Sequence, residues 1–286
     1  MATALIRGIG DVGSAVALTL LKAGHRVVLI DTPQPAYCRR ATSFTDAAYD
    51  GTKLLDGVLG KVCAHAKDLP RMIANQETIP IVLSEDLPPD VSTCFDVLVD
   101  ARMRKRATPE IQLGVTRLTI GVGPNFEAGT HTDIVIESAW GEELGRIIER
   151  GASRPFTGIP REICGYSQER YIYAPNEGLF DTAYEIGAWA HAGEPIGDID
   201  GRSVRASING WIRGITRRGI KVRAGTKLVD LDPSAMPSDP SLIGQRPARI
   251  ARSVTSVVQS AANSGENGRV GPCIRLPPDR HLKLAS

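Results

Sequence analysis

The hexapeptide Gly8-Ile9-Gly10-Asp11-Val12-Gly13 does most to limit what this chain can fold into. It follows directly on an apolar stretch, Thr3-Ala4-Leu5-Ile6. It leads into residues 14–23, where Val16, Leu18, Leu20 and Leu21 recur at helical spacing before Gly24 supplies a stop. A second apolar run, Arg26-Val27-Val28-Leu29-Ile30, ends on Asp31. Strand, glycine loop, helix and strand in that order form the first unit of a dinucleotide-binding fold. Here Gly8 permits a tight turn, Gly10 lets backbone approach a pyrophosphate, and Gly13 lets the helix pack on the strand. The helix N-terminus, opening at Asp11, offers free N–H groups to an anion. Asp31 is placed either to accept both hydroxyls of an NAD ribose or to cap a strand end.

The rest of the first 150 residues continues the pattern. Residues 52–55 and 58–62 flank Asp56-Gly57, a hairpin signal, and residues 65–75 have helical character. Ile79–Leu83, Val97–Val99 and Leu118–Ile120 are short apolar strands separated by polar or helical segments. This alternation predicts an α/β, Rossmann-like, mostly parallel sheet over 1–150, followed by a connector over 151–173. Residues 174–233 then contain an internal repeat. Ala174 falls on Ala206, 32 positions later, and the same offset aligns Gly178 with Gly210, Gly187 with Gly219, Gly193 with Gly225 and Asp200 with Asp232. Two interleaved glycine-punctuated halves predict a small all-β barrel-sandwich of the lipoyl or biotinyl kind. The hairpin Asp200-Gly201-Arg202-Ser203, where carrier domains bear their modified lysine, has none, so a docking or lid module is expected. A Pro/Ser linker and a helix over 247–262 make up residues 234–263, and the Gly/Pro-rich, basic tail 264–286 reads as disordered.

Composition excludes several classes. With 286 residues the chain has room for two domains, and its net charge of +2 gives no footprint for nucleic acid or a membrane surface. No apolar stretch approaches a membrane span, and the N-terminus has no signal-peptide pattern. Cys38, Cys63, Cys94, Cys164 and Cys273 form no CxxC pair, and the five histidines show no metal-ligand spacing. A reduced, cytoplasmic protein without a metal site is the expectation.

Ligands in open α/β sheets sit outside the carboxyl ends of the strands. Three further clusters fall at such ends: Asp100 and Arg102; Gly121, Gly123, Pro124 and Asn125; and Arg39 with Arg40. They are expected to share one anionic-ligand crevice with the first glycine loop, Arg102 holding a phosphate bidentately. Cys38, beside two arginines, is open to thiolate chemistry or is an incidental loop cysteine. His131 and Asp133 are candidates for a proton relay, a lone surface histidine being the plainer reading. No catalytic residue stands out.

Several ordered segments carry a family resemblance. Ile6-Arg7-Gly8 with Gly10-Asp11, Pro33-Gln34-Pro35, Arg39-Arg40, Ser43-Phe44 and Tyr49-Asp50-Gly51 come first. The run 96–102 with Lys105-Arg106, Gly121-Val122-Gly123-Pro124, Ile136-Glu137, Thr157-Gly158-Ile159-Pro160 and Gly165-Tyr166 follow in order. Together they resemble the YqeB-type proteins of selenium-dependent molybdenum hydroxylase systems, relatives of the XdhC/CoxI-type accessory proteins. Asn125 stands where that family has a second glycine, and Cys164 where it has the first of a Gly-Gly-Tyr. The resemblance implies an accessory protein that matures or inserts the molybdenum cofactor, with delivery of a chalcogen ligand as part of that role. Its partners would be a molybdenum hydroxylase client enzyme or other maturation proteins, and a homodimer stays open. The ligand is then the dinucleotide form of the molybdenum cofactor, or NAD as the glycine fingerprint suggests. An NAD-dependent oxidoreductase and a non-catalytic scaffold are the alternative functions, and whether the chain is an enzyme stays open.

Overall fold

The computed structural model describes residues 1–264. The elements of the first half are β1 (Thr3–Arg7), α1 (Asp11–Lys22), β2 (Arg26–Asp31), α2 (Ala47–Asp50), β3 (Thr52–Leu55), β4 (Val58–Val62), α3 (Leu69–Ala74) and β5 (Thr78–Leu83). Next come α4 (Val91–Cys94), β6 (Val97–Asp100), β7 (Leu118–Val122), β8 (Glu127–Ala128), β9 (Ile134–Ile136), β10 (Ile147–Ile148) and β11 (Gly151–Ala152). Nine of these strands form one sheet in the order β10-β9-β7-β6-β1-β2-β5-β4-β3. Neighbours from β4 to β9 pair in parallel, whereas β3 and β10 run antiparallel at the two edges. The β3–β4 turn uses Asp56 at φ 49° and Gly57 at φ 78°, the left-handed pair that a two-residue hairpin favours.

Alternate residues of the central strands serve two cores. Ile6, Leu29, Ile81 and Val99 pack with Val12, Val16 and Leu20 of α1 and with Ile250, Val254 and Val258 of the last helix, α5 (Gln245–Ser264). Leu5, Val28, Ile30 and Leu98 face the other way, onto Leu69 and Ile73 of α3 and Val91 of α4. The helix expected over 247–262 thus forms, and it lies along α1.

The remaining strands are β12 (Tyr171–Tyr173), β13 (Gly178–Asp181), β14 (Trp189–Ala190), β15 (Pro195–Ile199), β16 (Arg202–Arg205), β17 (Gly210–Ile215), β18 (Ile220–Val222) and β19 (Lys227–Asp232). They make two four-stranded antiparallel sheets, β12-β19-β17-β14 and β16-β15-β13-β18. The internal repeat is visible in the pairing. A shift of 32 carries β12, β13, β14 and β15 onto β16, β17, β18 and β19, and carries one strand order onto the other. The matching glycines meet matching aspartates: a Cβ on Gly178 would lie 2.2 Å from Asp200, and one on Gly210 would lie 2.9 Å from the Asp232 carbonyl. Phe180, Ile199, Ile212 and Leu231 fill the core between the sheets.

The expected fold class is corrected on both counts. The large sheet is mixed and not doubly wound in the Rossmann manner, because the β6–β7 and β7–β9 crossovers carry no helix. Met103 at φ 55°, Gly114, Asn125 at φ 74° and Gly129 put left-handed residues in those crossovers, which a helix cannot accommodate. α5, from the far end of the chain, covers the face instead. The second unit is two separate antiparallel sheets, with no strand pairing that closes them into a barrel-sandwich. Nor does it stand apart: Ala36 and Tyr49 pack onto its core. The tail expected to be disordered lies, beyond Ser264, outside the described residues.

Candidate functional site

The glycine loop is shaped by contacts within the chain. A Cβ on Gly8, at φ 109°, would meet the Ala101 carbonyl at 3.0 Å, and a Cβ on Gly13 would come within 1.8 Å of the Gly8 carbonyl oxygen. Both glycines therefore let backbones approach. Gly10 is the N-cap of α1 and offers no side chain to cap it, while the Val12 amide donates to Asp11 Oδ1 at 3.0 Å. A Cβ on Gly10 would lie 3.3 Å from the ring of Tyr37, so an aromatic ring lies over the face that a pyrophosphate would approach. Asp31 accepts hydrogen bonds from the Ile9 amide (2.8 Å), the Thr32 amide (2.7 Å) and the Tyr37 hydroxyl (3.0 Å). Burial raises its carboxyl pKa in spite of these donors. An NAD ribose would have to displace Tyr37 to reach it, so the residues present do not fit NAD in the fingerprint posture.

Asp100 and Arg102 do lie beside the glycine loop, at the carboxyl end of β6, but they hold each other. Arg102 grips Asp100 bidentately and also Glu110 at 2.8 Å, while Arg7 reaches the same Glu110 at 2.7 Å. Burial opposes ionisation of Asp100, and the hydrogen-bonded Arg102 with nearby Arg7 nevertheless holds its carboxyl below the usual range. The expected phosphate grip of Arg102 is thus replaced by an internal ion network.

Arg39 and Arg40 tie the first unit to β17. Arg39 donates to the Arg213 carbonyl at 3.1 Å, and Arg40 donates to the Ile215 carbonyl at 2.8 Å and to Asp46. Cys38 is buried, and burial pushes its thiol up to about 11, against the pull of Lys227 and Arg39. Desolvation outweighs the neighbouring cations, so the structure argues against a reactive thiolate there.

The second glycine loop positions a lysine. Gly121 lets the Phe126 ring lie against the strand, and Gly123, at φ 105°, faces Met103 and Ser138. After Pro124, the Asn125 amide donates to the carbonyls of Lys105 (3.0 Å) and Ala107 (3.2 Å). His131 and Asp133 hold turns: His131 accepts from the Glu127 amide, and Asp133 from Thr119.

Sequence reasoning missed three cations from distant segments that act on one another and on Asp11 at the start of α1. Lys105 comes from the β6–β7 crossover, Lys227 from the start of β19 and Arg246 from the first turn of α5. Asp11, Lys227 and Arg246 all act electrostatically on Lys105, which burial first and these two cations second lower to about 8. The Lys105 ammonium lies 5.2 Å from the Phe156 ring centroid, and that of Lys227 lies 3.5 Å from the Tyr171 ring centroid. Arg246 donates its Nε–H to the Ser138 carbonyl at 2.8 Å. Among the described residues none of the three has a carboxylate within ion-pairing distance. Glu137 is taken up by the amides of Ser138, Ala139 and Arg154, and Asp230 by Arg170. Asp11 is the acidic group left facing them. Each cation is ordinary in sequence; only the run Lys105-Arg106, set in a loop at a strand end, offered a signal.

Among the described residues no group of three or more His, Cys, Asp or Glu side chains could hold a metal ion. No helix there is long and apolar enough to cross a membrane.

No protein-family model matches the chain. It is 28% identical over 267 residues to the Escherichia coli K12 protein named Uncharacterized protein YqeB, a match covering 91% of this chain and 48% of that one. Solved structures overlap more loosely. An aspartoacylase family protein from Mesorhizobium loti is 10% identical, with 82% of this chain and 86% of that chain covered at a TM-score of 0.26. The ectoine utilization protein EutE (DoeB) from Ruegeria pomeroyi is 13% identical, with 80% and 84% covered at a TM-score of 0.25. Overlap of that extent assigns neither fold nor chemistry. By sequence the chain is similar to a YqeB-type protein over nearly all its length, and it spans about half the length of that curated relative.

Proposed function

We propose that the chain is an accessory protein in the maturation of a molybdenum hydroxylase and binds a phosphate-bearing, nucleotide-like ligand in the crevice before α1. The observation that carries ligand binding is that Lys105, Lys227 and Arg246, none ion-paired among the described residues, act electrostatically on one another near Asp11, the first residue of α1. Part-buried cations that outnumber the carboxylates near them favour a further anion, and a helix N-terminus adds favourable potential. The accessory role is supported by the ordered motifs shared with YqeB-type proteins. The molybdenum cofactor in its dinucleotide form is the ligand in this reading, and a client hydroxylase or another maturation protein is the partner. NAD is the weaker candidate, since Asp31 and Gly10 are both engaged by Tyr37.

Native mass spectrometry of the chain, purified from cells that make molybdenum hydroxylases, tests this. A co-purifying pterin dinucleotide is expected. A chain that carries nothing, and that binds neither the pterin dinucleotide nor any mononucleotide when these are added, would leave a scaffold as the function.

A further inference from the structure

We infer, independently of the reading above, that Arg7, Arg102 and Arg104 form a separate site for a small dicarboxylate, which the Glu110 carboxylate fills in this structure and a ligand takes over.

Three guanidinium groups meet on one carboxylate. Glu110 Oε2 accepts from Arg7 at 2.7 Å and from Arg102 at 2.8 Å, and its Oε1 accepts from Arg104 at 2.9 Å. Arg7 ends β1, and Arg102 follows β6, its parallel neighbour in the sheet. The cluster therefore sits outside the carboxyl ends of adjacent parallel strands, where such sheets hold ligands. Arginines gripping a carboxylate from several sides are the usual means of binding a carboxylic acid. Here the chain supplies the carboxylate.

The stretch that carries Glu110 is held by polar contacts rather than by packing. No helix or strand forms between β6 and β7. Ile111, the next residue, is 72% exposed, and the Glu110 side chain is half exposed. Met103 and Val115 pack on the two cores, and Asn125 ties down the carbonyls of Lys105 and Ala107, which confines movement to residues 108–113. Within that stretch the Gln112 side chain donates to Asp100 at 2.6 Å and its backbone amide to the His131 carbonyl at 2.7 Å, bonds that water can replace. Gln112 Oε1 is buried with no donor from the described residues. Opening uncovers little apolar surface and frees that unpaired acceptor, so the closed form is readily given up.

Charge selects the ligand. Arg7, Arg102 and Arg104 carry three positive charges. Glu110 supplies one negative charge, and Asp100, held by Arg102 and 3.7 Å from Arg7, supplies another. The closed cluster is one negative charge short. A dicarboxylate in place of Glu110 brings that charge, and with it an advantage over a carboxylate already attached to the chain. The Arg7 side chain is 9% exposed, so a compact ligand reaches it where the broad surface of a protein does not.

The test is a calorimetric titration of the full chain with succinate, acetate and inorganic phosphate, with hydrogen–deuterium exchange followed over residues 103–116. Succinate should bind the wild type at least roughly threefold more tightly than acetate or phosphate. Amide exchange around Glu110 should rise on binding, because the ligand takes over its arginines. Glu110→Gln, with a weaker internal competitor, should bind succinate at least roughly tenfold more tightly. Arg104→Gln, a part-exposed change, should bind it roughly threefold or more weakly than the wild type. Pyrophosphate should not compete with succinate. If Glu110→Gln does not fold, the wild-type exchange and Arg104→Gln decide alone. No succinate binding by the wild type, equal affinity in a folded Glu110→Gln protein, phosphate binding tighter than succinate, competition with pyrophosphate, or exchange around Glu110 that falls or stays level would each overturn the dicarboxylate site and leave Glu110 a structural ion partner.

Discussion

The Tyr37 hydroxyl donates to Asp31 at 3.0 Å, and the ring of the same tyrosine lies against Gly10. The acidic residue at the end of β2 therefore organises the loop around it, joining the Ile9 amide to a residue six positions beyond itself. Replacing Asp31 by Ala leaves these two buried donors unpaired and should cost roughly 3 kcal/mol of stability, while Tyr37→Phe should cost about 1 kcal/mol. Urea denaturation measures both. A stable Asp31→Ala protein with weakened ligand binding would instead make Asp31 a ligand contact.

Two glycines of one loop should respond differently. Gly13→Ala drives a Cβ into the Gly8 carbonyl and should destabilise by about 3 kcal/mol or prevent folding, because neither backbone can move away. Gly10→Ala meets only the Tyr37 ring at 3.3 Å and should cost about 1 kcal/mol. Thermal or chemical denaturation of the pair separates the roles, and equal effects would contradict them.

The sequence shows why only part of this was legible. The hairpin at Asp56-Gly57 and the 32-residue repeat could be read because left-handed turns restrict residue choice locally, and Gly187, Gly219, Gly193 and Gly225 all adopt positive φ. The covering of α1 by α5 could not, since nothing local says which face a distant amphipathic helix will meet. Site assignments suffered in the same way. Asp100 and Arg102 looked free because Glu110 and Gln112 are brought in by a crossover without regular structure, and Arg7 by the pairing of β1 with β6. Lys105, Lys227 and Arg246 were missed because three separate segments must fold before they meet.

The buried pair Arg170–Asp230, at 2.9 Å, clamps the segment before β12 to β19. Arg170 also donates to the carbonyls of Leu231 and Arg161. Arg170→Met leaves Asp230 buried with only Arg39, 4.0 Å away, as compensation. A loss of about 3–5 kcal/mol is expected from a denaturant titration. A loss under roughly 1 kcal/mol would show that the pair is dispensable.

Lys105 links pH to binding. Its ammonium is lowered from 10.5 to about 8 in the folded chain, so it loses its proton as pH rises through about 8, and anion affinity should fall over that interval. Stability of the unliganded protein runs the other way. Between pH 8 and 10.5 the unfolded chain keeps a proton that the folded chain has shed, so this group makes stability rise with pH. Lys105→Gln should flatten both profiles. Anion affinity that is level from pH 7 to 9.5 in the wild type would remove Lys105 from the site.

The central claim is that the three converging cations bind a phosphate group, and a pyrophosphate titration at low salt of the wild type against Lys227→Met and Arg246→Met tests it most directly. Saturable binding in the wild type, weakened at least roughly tenfold, or about 1.4 kcal/mol, by either change and falling steeply with added salt, is the expected result. Wild-type affinity retained in both folded variants would contradict it.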